Sequence, residues 1–201
     1  MRKPGDVTLA SYEATVDRYV DASGVSDPTV QALLARVAER VPGGTALEVG
    51  SGPGFDALHM ESLGLDVVRS DGATAFVERM RANGHEARVL DIRGDDLGGP
   101  FDAIVAIAVL LHLDRDEFTS FLARALHAVR PGGLIAFTVK EGDGDAWSHA
   151  KLDRPRHFTF WRADAVRAAL DHAGWSSISI EHIDGRTEPW LIVLAQRPTT
   201  P

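Results

Sequence analysis

The segment Ala46-Leu47-Glu48-Val49-Gly50-Ser51-Gly52-Pro53-Gly54 reads as an apolar strand, with one acid near its end, running into a glycine loop. Glycine stands at every second position of that loop, and a helical pattern begins at Phe55. Small residues at such a junction let a ligand approach the backbone, and the start of the next helix offers unpaired N–H groups. A plain strand-to-helix turn needs neither three glycines nor a strand-borne acid. A dinucleotide-binding loop would read G-x-G-x-x-G, but Phe55 occupies the position of its third glycine.

Working outward from the loop, strand and helix patterns alternate. Upstream, Asp27-Pro28 reads as an N-cap with proline at the first helical position, and Val30, Leu33, Leu34, Val37 and Ala38 follow at helical spacing. Leu9 to Val20 is mixed, with Tyr12, Val16 and Tyr19 at helical spacing. Downstream of the loop, Phe55 to Leu63 reads as a helix, Leu65 to Arg69 as a strand, Ala73 to Ala82 as a helix and Glu86 to Leu90 as a strand. Phe101 to Ala108 is an almost unbroken apolar run, as expected of a strand covered on both faces. A helix from Asp114 and a strand over Leu134 to Val139 follow, joined by Pro131-Gly132-Gly133, read as a turn. This alternation predicts a parallel sheet with helical crossovers. The end differs. After a helix over Arg162 to Ala173, only Asp184-Gly185-Arg186-Thr187-Glu188-Pro189 separates the strands Ser176–Ile183 and Trp190–Ala195. That link is too short for a crossover helix, so the last two strands should form an antiparallel hairpin.

The chain has 201 residues, a formal charge of −8 and no cysteine. This is the size of one domain with an ample core. Without cysteine there is no disulfide framework, thiolate metal site or thiol nucleophile. The acidic balance disfavours nucleic acid, which calls for a basic face. The longest apolar run, Ala103 to Leu111, is far short of the roughly 20 residues of a membrane span. Arg2 and Lys3 are followed by Pro4, Gly5 and Asp6 rather than by an apolar stretch, which is not a secretory signal, so the expectation is a cytoplasmic protein with no membrane partner.

The acid-x-G-x-G-x-G loop, the acid closing the second strand and the terminal hairpin together resemble the class I S-adenosylmethionine-dependent methyltransferases of small-molecule type. The resemblance covers most of the chain. It implies an α/β fold, a Rossmann-like three-layer sandwich whose seven-stranded, mostly parallel sheet ends in an antiparallel β-hairpin. It also implies a helical cap over residues 1–44, a cofactor-binding core over 45–201 and a substrate lid near 140–161. The cofactor would be S-adenosyl-L-methionine. Carried onto this sequence, Glu48 organises the loop and the amino end of the methionine moiety, and Gly50, Ser51, Gly52 and Gly54 lie against the cofactor. Asp71, with Gly72 beside it, accepts from both ribose hydroxyls, a task that suits a carboxylate. Asp71 can equally cap the helix from Ala73 onward. Asp91 and Ile92 hold the adenine, although an Asp after a strand is also a common turn residue. Ala106 to Val109 flank the methionine part, and Arg130-Pro131-Gly132-Gly133 is a structural turn.

A sulfonium is a strong electrophile with a neutral leaving group, so alignment and desolvation can carry most of the catalysis. His112, just past the fourth strand, is the candidate base, its ordinary pKa suiting proton removal near neutrality. The same histidine can simply pack beside the cofactor. Lys140 to Trp161 reads as a loop over the acceptor, with Trp147, His149, Arg156 and His157 as candidate substrate contacts and Arg186 of the terminal hairpin reaching the same place. This set suits an anionic or aromatic acceptor, or a solvated loop anchored by tryptophans. His149 and His157 lack further ligands at metal spacing, so no metal is expected. Tyr12 and Tyr19 resemble the aromatic pair that small-molecule members lay over the cofactor, Tyr19 the more so; simple packing accounts equally for such a stripe. The fourth strand ends without the Asn/Asp-Pro-Pro-aromatic motif of exocyclic-amine methyltransferases. A small-molecule acceptor is therefore expected, on a monomer or homodimer. The competing readings are a nicotinamide-dependent oxidoreductase and a non-catalytic S-adenosylmethionine-binding protein.

Overall fold

The computed structural model describes residues 3–24, 27–185 and 188–199. Three helices come first: α1 (Pro4–Glu13), α2 (Val16–Asp21) and α3 (Pro28–Arg40). Then follow β1 (Thr45–Val49), α4 (Phe55–Ser62), β2 (Asp66–Asp71), α5 (Thr74–Ala82), β3 (Ala87–Val89) and β4 (Phe101–Ala106). A short 3₁₀ turn (Leu110–His112) leads into α6 (Arg115–Ala128) and β5 (Val129–Lys140). The chain ends with β6 (Asp145–Ser148), β7 (Arg156–Thr159), α7 (Ala163–Ala173), β8 (Ser176–Asp184) and β9 (Pro189–Gln196).

Seven strands form one sheet in the order β3-β2-β1-β4-β5-β9-β8. β1 to β5 pair in parallel, and β9 runs antiparallel to both β5 and β8. The terminal hairpin inferred from the short link is therefore present. The chain moves outward from β1 to β3 and returns to the other side of β1 with β4. That reversal opens a crevice at the carboxyl ends of β1 and β4, where sheets of this kind bind ligands.

Alternation along each strand supplies both faces. Ala46, Ala103, Val105, Leu134 and Ala136 pack with Leu33, Leu34 and Val37 of α3 and Ala57 and Met60 of α4. Leu47, Val49, Ile104, Ile135 and Phe137 pack with Phe118, Phe121 and Leu122 of α6 and Val166 and Leu170 of α7. The helix ends obey local chemistry. Asp27 accepts from the Thr29 N–H ahead of Pro28, Asp114 and Glu117 form a reciprocal capping box, and Gly174 closes α7 in the left-handed region.

The structure corrects the sequence reading at three places. The helical stretch expected over Leu9 to Val20 is two helices, broken at Ala14-Thr15, where the Thr15 hydroxyl turns back to the Ser11 carbonyl at 2.6 Å. Pro131-Gly132-Gly133 does not precede the fifth strand but bulges within β5, where the register with β4 shifts between Phe101–Val129 and Ala103–Leu134 and Gly132 takes φ +83°. The segment Lys140 to Trp161 is not a bare loop. β6 and β7 form a separate antiparallel ribbon in which Trp147 faces His157 and Ala146 faces Phe158. α1 stacks against that ribbon, with hydrogen bonds from His157 N–H to Thr8 Oγ1 (2.9 Å) and from Ser11 Oγ to the Pro155 carbonyl (2.7 Å).

Candidate active site

The glycine loop leaves β1 with Gly50 at φ +66° and ends with Gly54 at φ +84°, where it caps α4. Both conformations favour glycine. At Gly50 space demands it too, because a Cβ there would lie 2.3 Å from Val109 Cγ2. The loop is tied to the end of β2 by one carboxylate. Asp71 accepts the Gly52 N–H on Oδ2 and the Ala73 N–H on Oδ1, each at 2.8 Å. Burial pushes Asp71 up to about 6 against these two donors. Each carboxylate oxygen keeps acceptor capacity beyond its backbone bond.

Glu48 lies beneath the loop and does not line the crevice. It is fully buried, its Oε2 has no hydrogen-bond partner, and burial pushes it up to about 8 despite Ser51 and Arg69 nearby. A carboxyl raised in this way holds its proton more tightly folded than unfolded. Its linkage therefore favours the folded state at low pH, and stability falls as pH rises from the ordinary 4.5 to about 8. At about 1.4 kcal/mol per pH unit, the free protein should lose about 2 kcal/mol between pH 6.5 and 8. Glu48→Gln should remove that slope, as urea midpoints at the two pH values would show; an unchanged slope would place the proton elsewhere.

The crevice is lined by Gly50, Gly52, Asp71 and Gly72 and by Ala108, Val109 and His112. Leu90, Asp91 and Ile92, following β3, form its side. Its roof is one stripe of α1: Gly5, Thr8, Leu9 and Tyr12, at the i, i+3, i+4, i+7 spacing of a single helix face. Tyr19 and Phe76 complete the wall, with ring centroids 5.3 Å apart and Tyr12 5.6 Å from Tyr19. Ala108 holds a left-handed φ of +54° and donates its N–H to Thr138 Oγ1 at 2.9 Å.

His112 is fixed on both nitrogens. Nδ1 stands 2.7 Å from the His157 carbonyl and Nε2 2.9 Å from the Tyr12 hydroxyl. A carbonyl only accepts, so Nδ1 carries the hydrogen and Nε2 accepts from Tyr12. Burial, aided by the nearby cations Arg156 and Lys140, pushes His112 down to about 4 and keeps it neutral. Burial also pushes the Tyr12 hydroxyl up to about 12.

Of the other residues singled out in sequence, Tyr19, Gly72, Asp91 and Ile92 border the crevice. The Asp91 carboxylate is engaged by Arg93, whose Nε lies 2.9 and 3.1 Å from its two oxygens and whose Nη2 lies 2.6 Å from Oδ2; this contact holds Asp91 below the usual carboxylate range. Arg93 also reaches Asp6 at 2.6 Å and so links α1 to the crevice. Ser51, Gly54 and Ala106 do not line the crevice. Ala106 is buried in the sheet, and the chain opens to the crevice only one residue later, at Ile107. Trp147, His149, Arg156 and His157 lie on the β6–β7 ribbon and its turn, outside the lining. Trp147 is 46% exposed and packs edge-on to His157, whose ring reaches Asp145 at 2.9 Å. Arg186 falls outside the described residues. Gly5, Thr8, Leu9, Phe76 and Arg93 escaped the sequence reading; the periodic stripe on α1 was the available signal for the first three. Among the described residues, no three metal-ligating side chains converge.

Comparison with known proteins fits this geometry. A family model described as a methyltransferase domain matches residues 24–180. The chain belongs to that family. It is 27% identical to a glycine/sarcosine N-methyltransferase of Halorhodospira halochloris over 69% of this chain and 54% of that protein. It is 31% identical to a protein-L-isoaspartate O-methyltransferase of Chlorobaculum parvum over 68% of this chain and 65% of that protein. This methyltransferase-domain chain thus spans between about half and two thirds of these two curated relatives. Among solved structures, it is similar in fold to magnesium protoporphyrin IX methyltransferase of Synechocystis with bound S-adenosylmethionine, with a TM-score of 0.78, 16% identity and 98% of each chain covered. No described helix is long and apolar enough to cross a membrane.

Proposed function

We propose that the chain is an enzyme transferring a methyl group from S-adenosylmethionine to a small-molecule acceptor by direct in-line displacement. The observation that carries this reading is Asp71, buried between the glycine loop and α5 yet bordering the crevice with acceptor capacity to spare. The residues present fit the cofactor. Gly50 and Gly52 give close backbone approach, Asp71 suits two vicinal hydroxyls, Leu90 and Ile92 offer an apolar slot for a ring, and Tyr19 and Phe76 form an aromatic wall. When bound, the cofactor supplies an electrophilic methyl on a positively charged sulfur.

The protein's part is to bind, align and exclude water. α1 roofs the crevice and is fastened through Asp6–Arg93 and Thr8–His157. His112 has its one basic nitrogen on the Tyr12 hydroxyl, so an acceptor proton reaches the imidazole only through the Tyr12 oxygen. Tyr12→Phe and His112→Gln should therefore slow transfer by a similar factor, on the order of tenfold, with the double variant no slower. This is below the usual range for general-base catalysis, because a base held near 4 takes a proton reluctantly. Additive losses would separate the two residues.

A small acceptor is favoured by the roofed crevice and by the acidic overall charge. One relative is named for glycine and sarcosine and the other for a protein residue, so the acceptor decides between them. Incubation with methyl-tritiated S-adenosylmethionine should label the low-mass fraction of a metabolite extract and leave a protein extract unlabelled. Label in protein alone would overturn the small-molecule reading. The phenylalanine in place of a third loop glycine, together with family membership, weighs against a nicotinamide cofactor. This reading places the protein in the cytoplasm as a monomer or homodimer.

A further inference from the structure

Arg156 opens β7 and is only 8% exposed, yet it forms no ion pair with any carboxylate among the described residues. The comparison with Arg69 is direct, since that arginine is as deeply buried, at 5%, and is paired with Glu61 at 2.7 Å. Among the described residues the Nε of Arg156 is buried without a partner, and its guanidinium makes one hydrogen bond, a long one, 3.4 Å from Nη1 to the Tyr12 hydroxyl. A buried cation without a counter-charge is costly, and a guanidinium fork is shaped for an oxyanion.

Its surroundings hold more positive charge than they neutralise. The Arg156 guanidinium lies 5.1 Å from the Phe158 ring centroid, and Lys140 Nζ lies 3.8 Å from the same centroid. Lys140 is paired with Glu188. Lys151 Nζ stands 3.8 Å from the Tyr19 ring centroid and donates to Ser23 Oγ; burial and the Arg156 charge hold it below its ordinary value. Tyr12, Tyr19 and His112, which these cations flank, are themselves crevice wall.

We propose that Arg156, which is not itself part of the crevice lining but stands 3.4 Å from the Tyr12 hydroxyl that is, is the anchor for one acidic group, a carboxylate, reaching past Tyr12 from the molecule bound in the crevice. The proposal rests on the methyltransferase reading in taking that molecule to be the methyl acceptor. A single negative charge fits, because one guanidinium is unpaired while Lys140 already has Glu188. The aromatic rings around Arg156 lower the local dielectric and so strengthen the pair. The acceptor is then an acid whose nucleophile is presented beside Tyr12.

Calorimetric titration tests this with acetate, benzoate, their neutral amides and inorganic phosphate. Each probe is titrated into wild type, Arg156→Gln and Arg156→Lys, with and without S-adenosylhomocysteine. The acids should bind wild type at least tenfold more tightly than the amides, the scale of a hydrogen bond to a charged group. Arg156→Gln should abolish that preference, and Arg156→Lys should retain part of it. Equal binding of acid and amide to wild type, no binding of either acid, or a preference that survives in Arg156→Gln would each overturn the proposal. Phosphate binding more tightly than both acids would overturn the carboxylate in favour of a phosphate ester. Should S-adenosylhomocysteine fail to bind, the methyltransferase reading falls, while the titrations of the free protein still decide the role of Arg156.

Discussion

Replacing Asp71 with alanine should weaken S-adenosylhomocysteine binding by roughly 100-fold, about 3 kcal/mol. Two effects combine. The variant loses the acceptor for two vicinal hydroxyls, and it strands the Gly52 and Ala73 N–H groups that the carboxylate holds at 2.8 Å. Stranding the Gly52 N–H also releases the middle of the glycine loop, so the cofactor would meet a disordered cradle. Asp71→Asn is not a neutral control, because its amide turns a donor toward one of these donors. It should fall between wild type and alanine. The folded carboxyl sits near 6, above its ordinary value, so the free protein is stabilised by its protonation and binding should strengthen as pH rises past 6. Calorimetry at pH 5 and 7.5 measures both effects. Binding by Asp71→Ala within threefold of wild type would remove Asp71 from the cofactor site.

Gly50→Ala should be as damaging, through sterics. The new methyl would sit 2.3 Å from Val109 Cγ2, and φ +66° is disfavoured for alanine. Overpacking and backbone strain together should cost about 2–4 kcal/mol of stability. Val109 cannot swing clear without moving the wall it shares with Ala108 and His112, so cofactor binding should fall by more than about 100-fold. Adding Val109→Ala separates the causes. The double variant should recover the part due to overlap and keep the part due to φ. Thermal melts and calorimetry of the three variants give the answer; a Gly50→Ala protein as stable and as competent as wild type would mean the loop has slack that the structure does not show.

What was readable in the sequence was local or periodic. The glycine loop, Asp71 and the terminal hairpin each follow from residues adjacent along the chain or from a link too short for a helix. The Tyr12–His112 pair was not readable as a pair, because 100 residues separate its members and only the docking of α1 on the ribbon brings them together. The ribbon itself was hidden. Gly142, Gly144 and the exposed run of Asp145 to Trp147 look like loop, and they hold a strand because β7, paired with them, is buried. His112 looked like a free base from its position after β4, and burial beside Arg156 and Lys140 makes it a neutral one. Asp91 looked available for a ring amine, whereas Arg93, two residues on, engages its carboxylate. For both residues it was the surroundings, burial at His112 and Arg93 at Asp91, that set the chemistry, and neither the burial nor the contact is visible in the local sequence.

Calorimetric titration of the wild-type protein with S-adenosylhomocysteine, followed by NADH as a control, decides whether the crevice beside Gly50 and Asp71 is an S-adenosylmethionine site. One-to-one binding of S-adenosylhomocysteine, lost in Asp71→Ala, with no heat from NADH, is the expected result. Absence of S-adenosylhomocysteine binding, or binding that is indifferent to Asp71, would contradict that assignment.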